Sequence, residues 1–246
     1  MRGLGTVFVI PDTHVPYHNK RAFELALRAY KSIRGKKQVV VIGDFADFYS
    51  VSSHSKDPER RHRLLDEIHE INKALDQLEA VAGKDVTFIE GNHEDRLRRY
   101  IWDKAPELSQ ISNLPGLLHI PRRKWGYIRY RDYYKIGVVT YTHDLGRSGK
   151  HSASQSLTDF GGNLVFGHSH RGAVVYQGEA KGASHFCMNV GWLGDVKQVD
   201  YMHRARAERD WQTGFGVVDY GSDGMATASF VPIVRGKCTV HGREIK

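Results

Sequence analysis

The chain is 246 residues long, with 40% apolar and 11% aromatic residues, which suffices for a full core and excludes a disordered protein. It carries 36 Lys and Arg against 28 Asp and Glu, a formal net charge of +8 that favours polyanionic partners such as nucleotides or nucleic acid. Two cysteines, Cys187 and Cys238, exclude a disulfide framework or a cysteine zinc knuckle, and no apolar run spans a bilayer, so a cytoplasmic setting without a membrane partner is expected.

Residues 4–10 read as a buried first strand that ends at Pro11-Asp12-Thr13-His14. Asn19 caps a helix whose apolar positions Phe23, Leu27 and Tyr30 follow the 3.6 period, with Gly35 as its stop. Val39-Val40-Val41-Ile42 is a continuous apolar run, the pattern of a strand covered on both faces, and it ends at Gly43-Asp44-Phe45-Ala46-Asp47. Asp57-Pro58 then reads as the start of a long amphipathic helix with the stripe Leu64, Ile68, Ile71, Leu75 and Leu78, closing near Gly83. A third strand over 86–89 runs into Gly91-Asn92-His93-Glu94, followed by a helical stretch over 95–102. Strand, helix, strand, helix, strand predicts a parallel sheet with right-handed crossovers.

Residues 106–121 read as loop with short turns. Strands follow over 127–136 and 138–141, the second ending at Thr142-His143-Asp144, then a short helix over 152–160. A strand over 163–166 ends at Gly167-His168-Ser169-His170, and 173–176, 186–190, 215–220 and 228–234 read as short strands between Gly-rich turns. Without a linker or an internal repeat, a single domain over 1–246 is expected, with two sheets face to face and helices outside.

Five strand ends thus carry Asp12 and His14, Asp44, Asn92 and His93, His143, and His168 and His170. Each piece alone is an ordinary turn; all five at the carboxyl edge of strands, where α/β folds bind ligands, define one pocket. In an extended segment residues two apart project to one side, so Asp12 with His14, and His168 with His170, converge. Neutral imidazole, carboxylate and amide oxygen without sulfur suit divalent Mn²⁺, Fe or Zn²⁺, and this inventory fills two adjacent sites. Asp44, the one carboxylate at its strand end, suits a bridge between two ions.

These residues resemble the calcineurin-like metallophosphoesterase superfamily, whose Asp-x-His, Gly-Asp, Gly-Asn-His-Asp/Glu, later His and Gly-His-x-His motifs stand here in that order. The resemblance implies an α/β fold built as a four-layer α/β/β/α sandwich of two mixed sheets flanked by helices, and a site for two divalent metal ions, Mn²⁺ first by family habit. It implies Asp12, His14 and His170 on one ion, Asn92, His143 and His168 on the other, Asp44 between them, and His93 as the acid toward the leaving group. Hydroxide formed from a water shared by the two cations would attack phosphorus in line. The superfamily's protein phosphatases carry an Arg after Gly-Asp and another before Gly-Asn-His; here Asp47-Phe48-Tyr49 and Glu90 stand there, which disfavours that role and points toward the diesterase branches.

Asp47 and Asp144 are candidates to orient ligand histidines from behind. Arg96, Arg98 and Arg99 follow the Gly-Asn-His loop and are candidates to meet substrate phosphates, and His18 and His54 fall in loops that could line the cleft. Arg60, Arg61 and Arg63 open the long helix against its dipole; Arg122-Arg123-Lys124-Trp125, and Arg204, Arg206 and Arg209 with Trp211, pair charge with faces that could stack bases. The expected function is a phosphodiesterase acting on nucleotides or nucleic acid. The alternatives are a phosphomonoesterase and a non-catalytic binding protein that retains the fold.

Overall fold

The protein is described by a computed structural model covering residues 5–54, 56–57, 59, 63–110, 113–178, 180, 182, 184–198 and 210–246. The expectations placed on Leu4, Pro58, Arg60, Arg61, Arg204, Arg206 and Arg209 lie outside the described residues.

In chain order the elements are β1 (Gly5–Ile10), α1 (Lys20–Ser32), β2 (Lys37–Val41), α2 (Leu64–Ala82), β3 (Val86–Ile89) and α3 (Asn92–Lys104). Two short helices, α4 (Leu114–Leu117) and α5 (Ile120–Arg123), lead to β4 (Gly126–Ile128). Then come β5 (Tyr134–Ile136), β6 (Val139–Tyr141), α6 (Ser152–Phe160), β7 (Asn163–Phe166), β8 (Gly172–Gly178) and β9 (Ser184–Val190). The chain closes with β10 (Gly214–Tyr220), β11 (Ala226–Pro232) and a hairpin of β12 (Cys238–Val240) and β13 (Arg243–Ile245).

One sheet has the order β11-β10-β1-β2-β3-β4, with β1 to β4 parallel and β10 and β11 antiparallel. The other runs β5-β6-β7-β9-β8, with β6, β7 and β9 parallel. Strand alternation sorts the apolar residues into layers. Val7, Val9, Val40 and Ile42 of the first sheet pack against Val139, Tyr141, Val165, Phe186 and Met188 of the second. Their neighbours Phe8, Ile10, Val39, Val41 and Phe88 turn the other way, onto Phe23 and Leu27 of α1 and Ile71, Leu75 and Leu78 of α2. Leu164, Phe166 and Cys187 leave the second sheet's far face for Ala153 and Leu157 of α6. Helix, sheet, sheet, helix is the layering that results. A strand of four consecutive apolar residues such as 39–42 is explained by it, since both of its faces are covered.

Two sequence-based boundaries move. The predicted strand over 127–136 is two strands in different sheets, β4 beside β3 and β5 beside β6, with Arg131 between them at φ 72°. Helix α2 begins at Leu64, where the Asp66 carboxylate accepts the Arg63 N–H at 3.1 Å and acidic residues fill the first turn; Asp57 is outside it. The Asn19 cap stands, its side chain accepting from Ala22 N–H at 3.1 Å. The β12–β13 hairpin was not anticipated. Among the described residues no helix is long and apolar enough to cross a membrane.

Candidate metal centre

The carboxyl ends of β1, β2, β3, β6 and β7 meet at one edge, and the loops there interlock through glycines. A Cβ on Gly91 would lie 2.1 Å from Asp44 Oδ1, and one on Gly167 2.3 Å from Asp12 Oδ1, so only glycine admits the carboxylate of the neighbouring loop. Each of these aspartates spends one oxygen on that loop. Asp44 Oδ1 accepts from His93 N–H at 2.8 Å, and Asp12 Oδ1 from His168 N–H at 3.1 Å. Glu94, buried at the start of α3, accepts the backbone N–H groups of Asp44, Ala46 and Gly91 at 2.7–2.8 Å and so ties the β2 and β3 loops together.

The second carboxylate oxygens face histidines. Asp44 Oδ2 lies 3.3 Å from His143 Nε2, and Asp12 Oδ2 lies 3.2 Å from His170 Nε2 without a hydrogen-bond partner. Asn92 Oδ1 sits 3.1 Å from His143 Nε2 and 2.8 Å from His168 Nδ1, while His14 Nε2 and His170 Nε2 face each other at 3.1 Å. All seven predicted donors therefore come together, in two groups: Asp12, His14 and His170, then Asp44, His143 and His168 with Asn92. A third group, His14, Asp47 and His93, adjoins the first.

Strand alternation is not what brings them together. His14, Asp44, His168 and His170 have φ of 56°, 49°, 63° and 59°. This left-handed backbone is one that non-glycine residues adopt at a cost on the order of 1 kcal/mol or more. The turn it makes sends His168 and His170 to different groups, the division that the family resemblance implies, and corrects the convergence on one point that extended backbone would give. His170 gains its orientation from aromatics: its ring stacks on Trp192 with centroids 5.0 Å apart and meets the edge of Trp211 at 4.2 Å. Trp192 follows a glycine turn that carries no motif, and no pattern in the chain singles it out.

Hydrogen bonds from behind fix the other rings. Asp47 Oδ2 accepts from His14 Nδ1 at 3.0 Å, which leaves Nε2 to face the centre. Burial would raise the Asp47 carboxyl, but His93 and His14 outweigh it and hold it far below the usual carboxylate range. His143 Nδ1 donates to the Ile42 carbonyl at 2.9 Å. Asp144, the sequence-based candidate for that task, instead accepts from Tyr130 Oη at 2.7 Å and Gly146 N–H at 2.8 Å. Replacing Asp47 by Asn is expected to weaken divalent-metal affinity about 10- to 100-fold, measured by calorimetric titration, since the amide no longer anchors His14 as an anion does.

His93 stands beside the donors. Its ring centroid is 4.5 Å from that of His14, Nδ1 lies 3.1 Å from the Asp47 carbonyl, and Nε2 accepts from Arg96 Nη2 at 2.9 Å. Burial lowers its pKa and the Asp44 and Asp47 carboxylates more than compensate, leaving it raised.

A family model described as calcineurin-like phosphoesterase matches residues 5–172, a span that holds all seven donors and His93. The chain belongs to the calcineurin-like phosphoesterase family. A search of curated proteins finds no match. Membership in the calcineurin-like phosphoesterases, with the His/Asp clusters, supports a metal-dependent hydrolase of phosphoric esters.

Beyond the donors, a cleft of about 1100 Å³ opens from Asn92 and His168 along α3, and His54 and Arg96 are among its lining residues. His18 does not: it lines a separate 220 Å³ cavity with Phe23, Glu70 and Lys73, between α1 and α2, which corrects its assignment to the substrate site. The arginines after the Gly-Asn-His loop divide by helical position. Arg96 turns to His93 and Asp47, whereas Arg98 is committed to both oxygens of buried Glu90 and to Asp95. Arg99 pairs with Asp95 at 3.0 Å and is mostly exposed. Arg123 is fully buried against Glu79, Asp76 and the Leu118 carbonyl, and Trp125 donates to the Gly83 carbonyl, so this pair closes α2 onto α5 and offers no face to a base. Arg123→Met is accordingly expected to cost about 1.5–3 kcal/mol in chemical denaturation and to leave KM for any phosphate ester unchanged.

Proposed function

We propose that this phosphoesterase is a binuclear phosphodiesterase acting on nucleotide or nucleic-acid phosphodiester bonds. The supporting observation is the paired donor geometry: two imidazole nitrogens 3.1 Å apart at His14 and His170, beside an Asp12 oxygen without a hydrogen-bond donor. Lone pairs aimed at one another in a buried site repel unless a proton or a cation lies among them. The residues fit divalent cations. Asp12, His14 and His170 would hold one, Asn92, His143 and His168 the other, with Asp44 shared, and both cysteines are buried apart from the donors in apolar clusters. An all nitrogen and oxygen set suits Mn²⁺, Fe or Zn²⁺, and Mn²⁺ is the first candidate.

Such ions, when bound, neutralise phosphoryl oxygens and acidify water near pH 7. The chain's own residues do the rest. His93, anchored through Nδ1 on the Asp47 carbonyl, is placed to give a proton from Nε2 to the departing oxygen once Arg96, which donates to Nε2 in the free protein, turns to the phosphate. Arg96, bonded to His93 and bordering the cleft, supplies a guanidinium where a phosphate would enter. The cleft beyond carries five Lys and Arg side chains against two Asp, which supports an anionic substrate longer than one phosphate. A divalent-metal screen on bis-aryl and mono-aryl phosphates tests the reading: Mn²⁺-dependent turnover with higher kcat/KM on the diester is expected, and preference for the monoester overturns the diesterase assignment.

A further inference from the structure

The cleft beyond the donors is built along one helix. From Asn92, at the first position of α3, cleft-lining residues recur at Arg96, Arg99, Tyr100, Asp103 and Lys104, the three- and four-residue steps of a single helical face. At about 1.5 Å per residue this face carries the cleft roughly 18 Å away from the donor groups. Arg96, Tyr100 and Lys104 are one turn apart each, so cation, aromatic ring and cation follow at steps of about 6 Å along the axis. Tyr100 is 43% exposed and Trp102, on the flank of the same helix and also lining the cleft, is 60% exposed.

The charges here are available. Arg99 pairs with Asp95 and donates to the Asn92 carbonyl at 3.2 Å, Lys104 pairs with Asp103, and both cations lie more than half in solvent. Exposed pairs of this kind contribute little to stability, so the cations are not tied down by them. Across the cleft Arg131 lies over the Tyr130 ring, with 5.3 Å from its guanidinium carbon to the centroid, adding a second pairing of charge with an aromatic face.

We propose that the Arg96–Lys104 face of α3 is a track for single-stranded nucleic acid leading into the metal centre, with Tyr100 and Trp102 as stacking platforms and Arg99 and Lys104 as phosphate contacts. The proposal rests on the phosphodiesterase reading and narrows its substrate. Paired bases in a duplex keep their faces covered, whereas an unpaired strand presents every base to an aromatic ring. Alternating cations and rings at roughly one helical turn match a chain in which phosphate and base alternate; a mononucleotide would use only the first of them.

The experiment is fluorescence anisotropy with a labelled oligothymidylate and a labelled duplex, using the full chain loaded with Mn²⁺ and carrying His93→Ala to suppress cleavage. Tighter binding of the single strand than of the duplex is expected. Tyr100→Ala and Trp102→Ala should each weaken single-strand binding about 5- to 150-fold, the worth of one base–ring stack. Arg99→Ala with Lys104→Ala should flatten the slope of log affinity against log salt by about 0.7 for each lost contact. Arg235→Ala, on the β11–β12 connection, is the control for net charge and should leave the affinity and the stacking losses in place. Equal or tighter duplex binding, or affinity and salt slope unmoved by the α3 variants, overturns the track. If the unmutated Mn²⁺ protein still hydrolyses a bis-aryl phosphate, only the track has failed; if it hydrolyses no phosphate ester, the underlying reading has failed instead.

Discussion

His93→Ala is expected to lower kcat about 10²–10⁴-fold on a diester with a poor leaving group while leaving bound metal unchanged. The separation of the two effects follows from what His93 contributes. Its backbone N–H, which holds Asp44 Oδ1 at 2.8 Å, survives the substitution, so the Asp44 carboxylate keeps its place. The imidazole is next to the donors, with Nε2 3.8 Å from Asp44 Oδ2, and its other nitrogen is anchored on the Asp47 carbonyl. With Arg96 drawn from Nε2 to the substrate phosphate, that nitrogen can hold a proton on the side from which an alkoxide would leave. The loss should therefore grow along a series of esters whose leaving alcohols have rising pKa, and should shrink for a nitrophenolate that departs without help. A uniform loss across the series, together with depleted metal by elemental analysis, would make His93 a support for Asp44 and would remove it from proton transfer.

The contrast between what the sequence states and what it conceals is clearest at His168 and His170. The motif that contains them is legible because glycine, histidine and a strand end coincide, and Gly167 is required by the approach of Asp12. Their division between two donor groups is implied only by the family resemblance and not by spacing, because it depends on a left-handed backbone at both positions, which no side-chain pattern announces. Layering was readable from 39–42 and from the α2 stripe, since burial on one or two faces writes itself as periodicity. The strand over 127–136 failed for the opposite reason: its residues are strand-like throughout, and the change of sheet at Arg131 is a tertiary choice. The arginine run after Asn92 looked like one phosphate-binding cluster in the sequence. Helical rotation of about 100° per residue separates it into a structural partner of buried Glu90, a histidine partner and an exposed cation. Trp192 lies beyond the family span, and only the folded chain puts it under His170.

The affinity of the second donor group for metal is expected to rise tenfold for each pH unit, about a hundredfold between pH 6 and 8, with one proton released per chain on loading. The cause is His143. Burial alone would lower its pKa, but the Asp44 and Asp12 carboxylates push it up to about 10, so the metal-free protein holds this ring as a cation throughout that range. Its Nδ1 proton is engaged by the Ile42 carbonyl, and the Nε2 proton, aimed at Asp44 and Asn92, is the one a metal must displace. The same ring sets the sign for stability without metal. Because its folded pKa lies above the usual 6.5, its contribution is fully present below pH 6.5 and is lost as pH rises through about 10. Thermal unfolding of chelated protein should thus weaken from pH 6.5 toward 10, while saturating Mn²⁺, which binds the deprotonated ring, should stabilise more at pH 8 than at pH 6. Titration in weak buffer with a pH indicator reads the proton directly. Loading without proton release between pH 6 and 8 would show His143 already neutral, and would take the Asp44–His143 pair out of the metal site's proton balance.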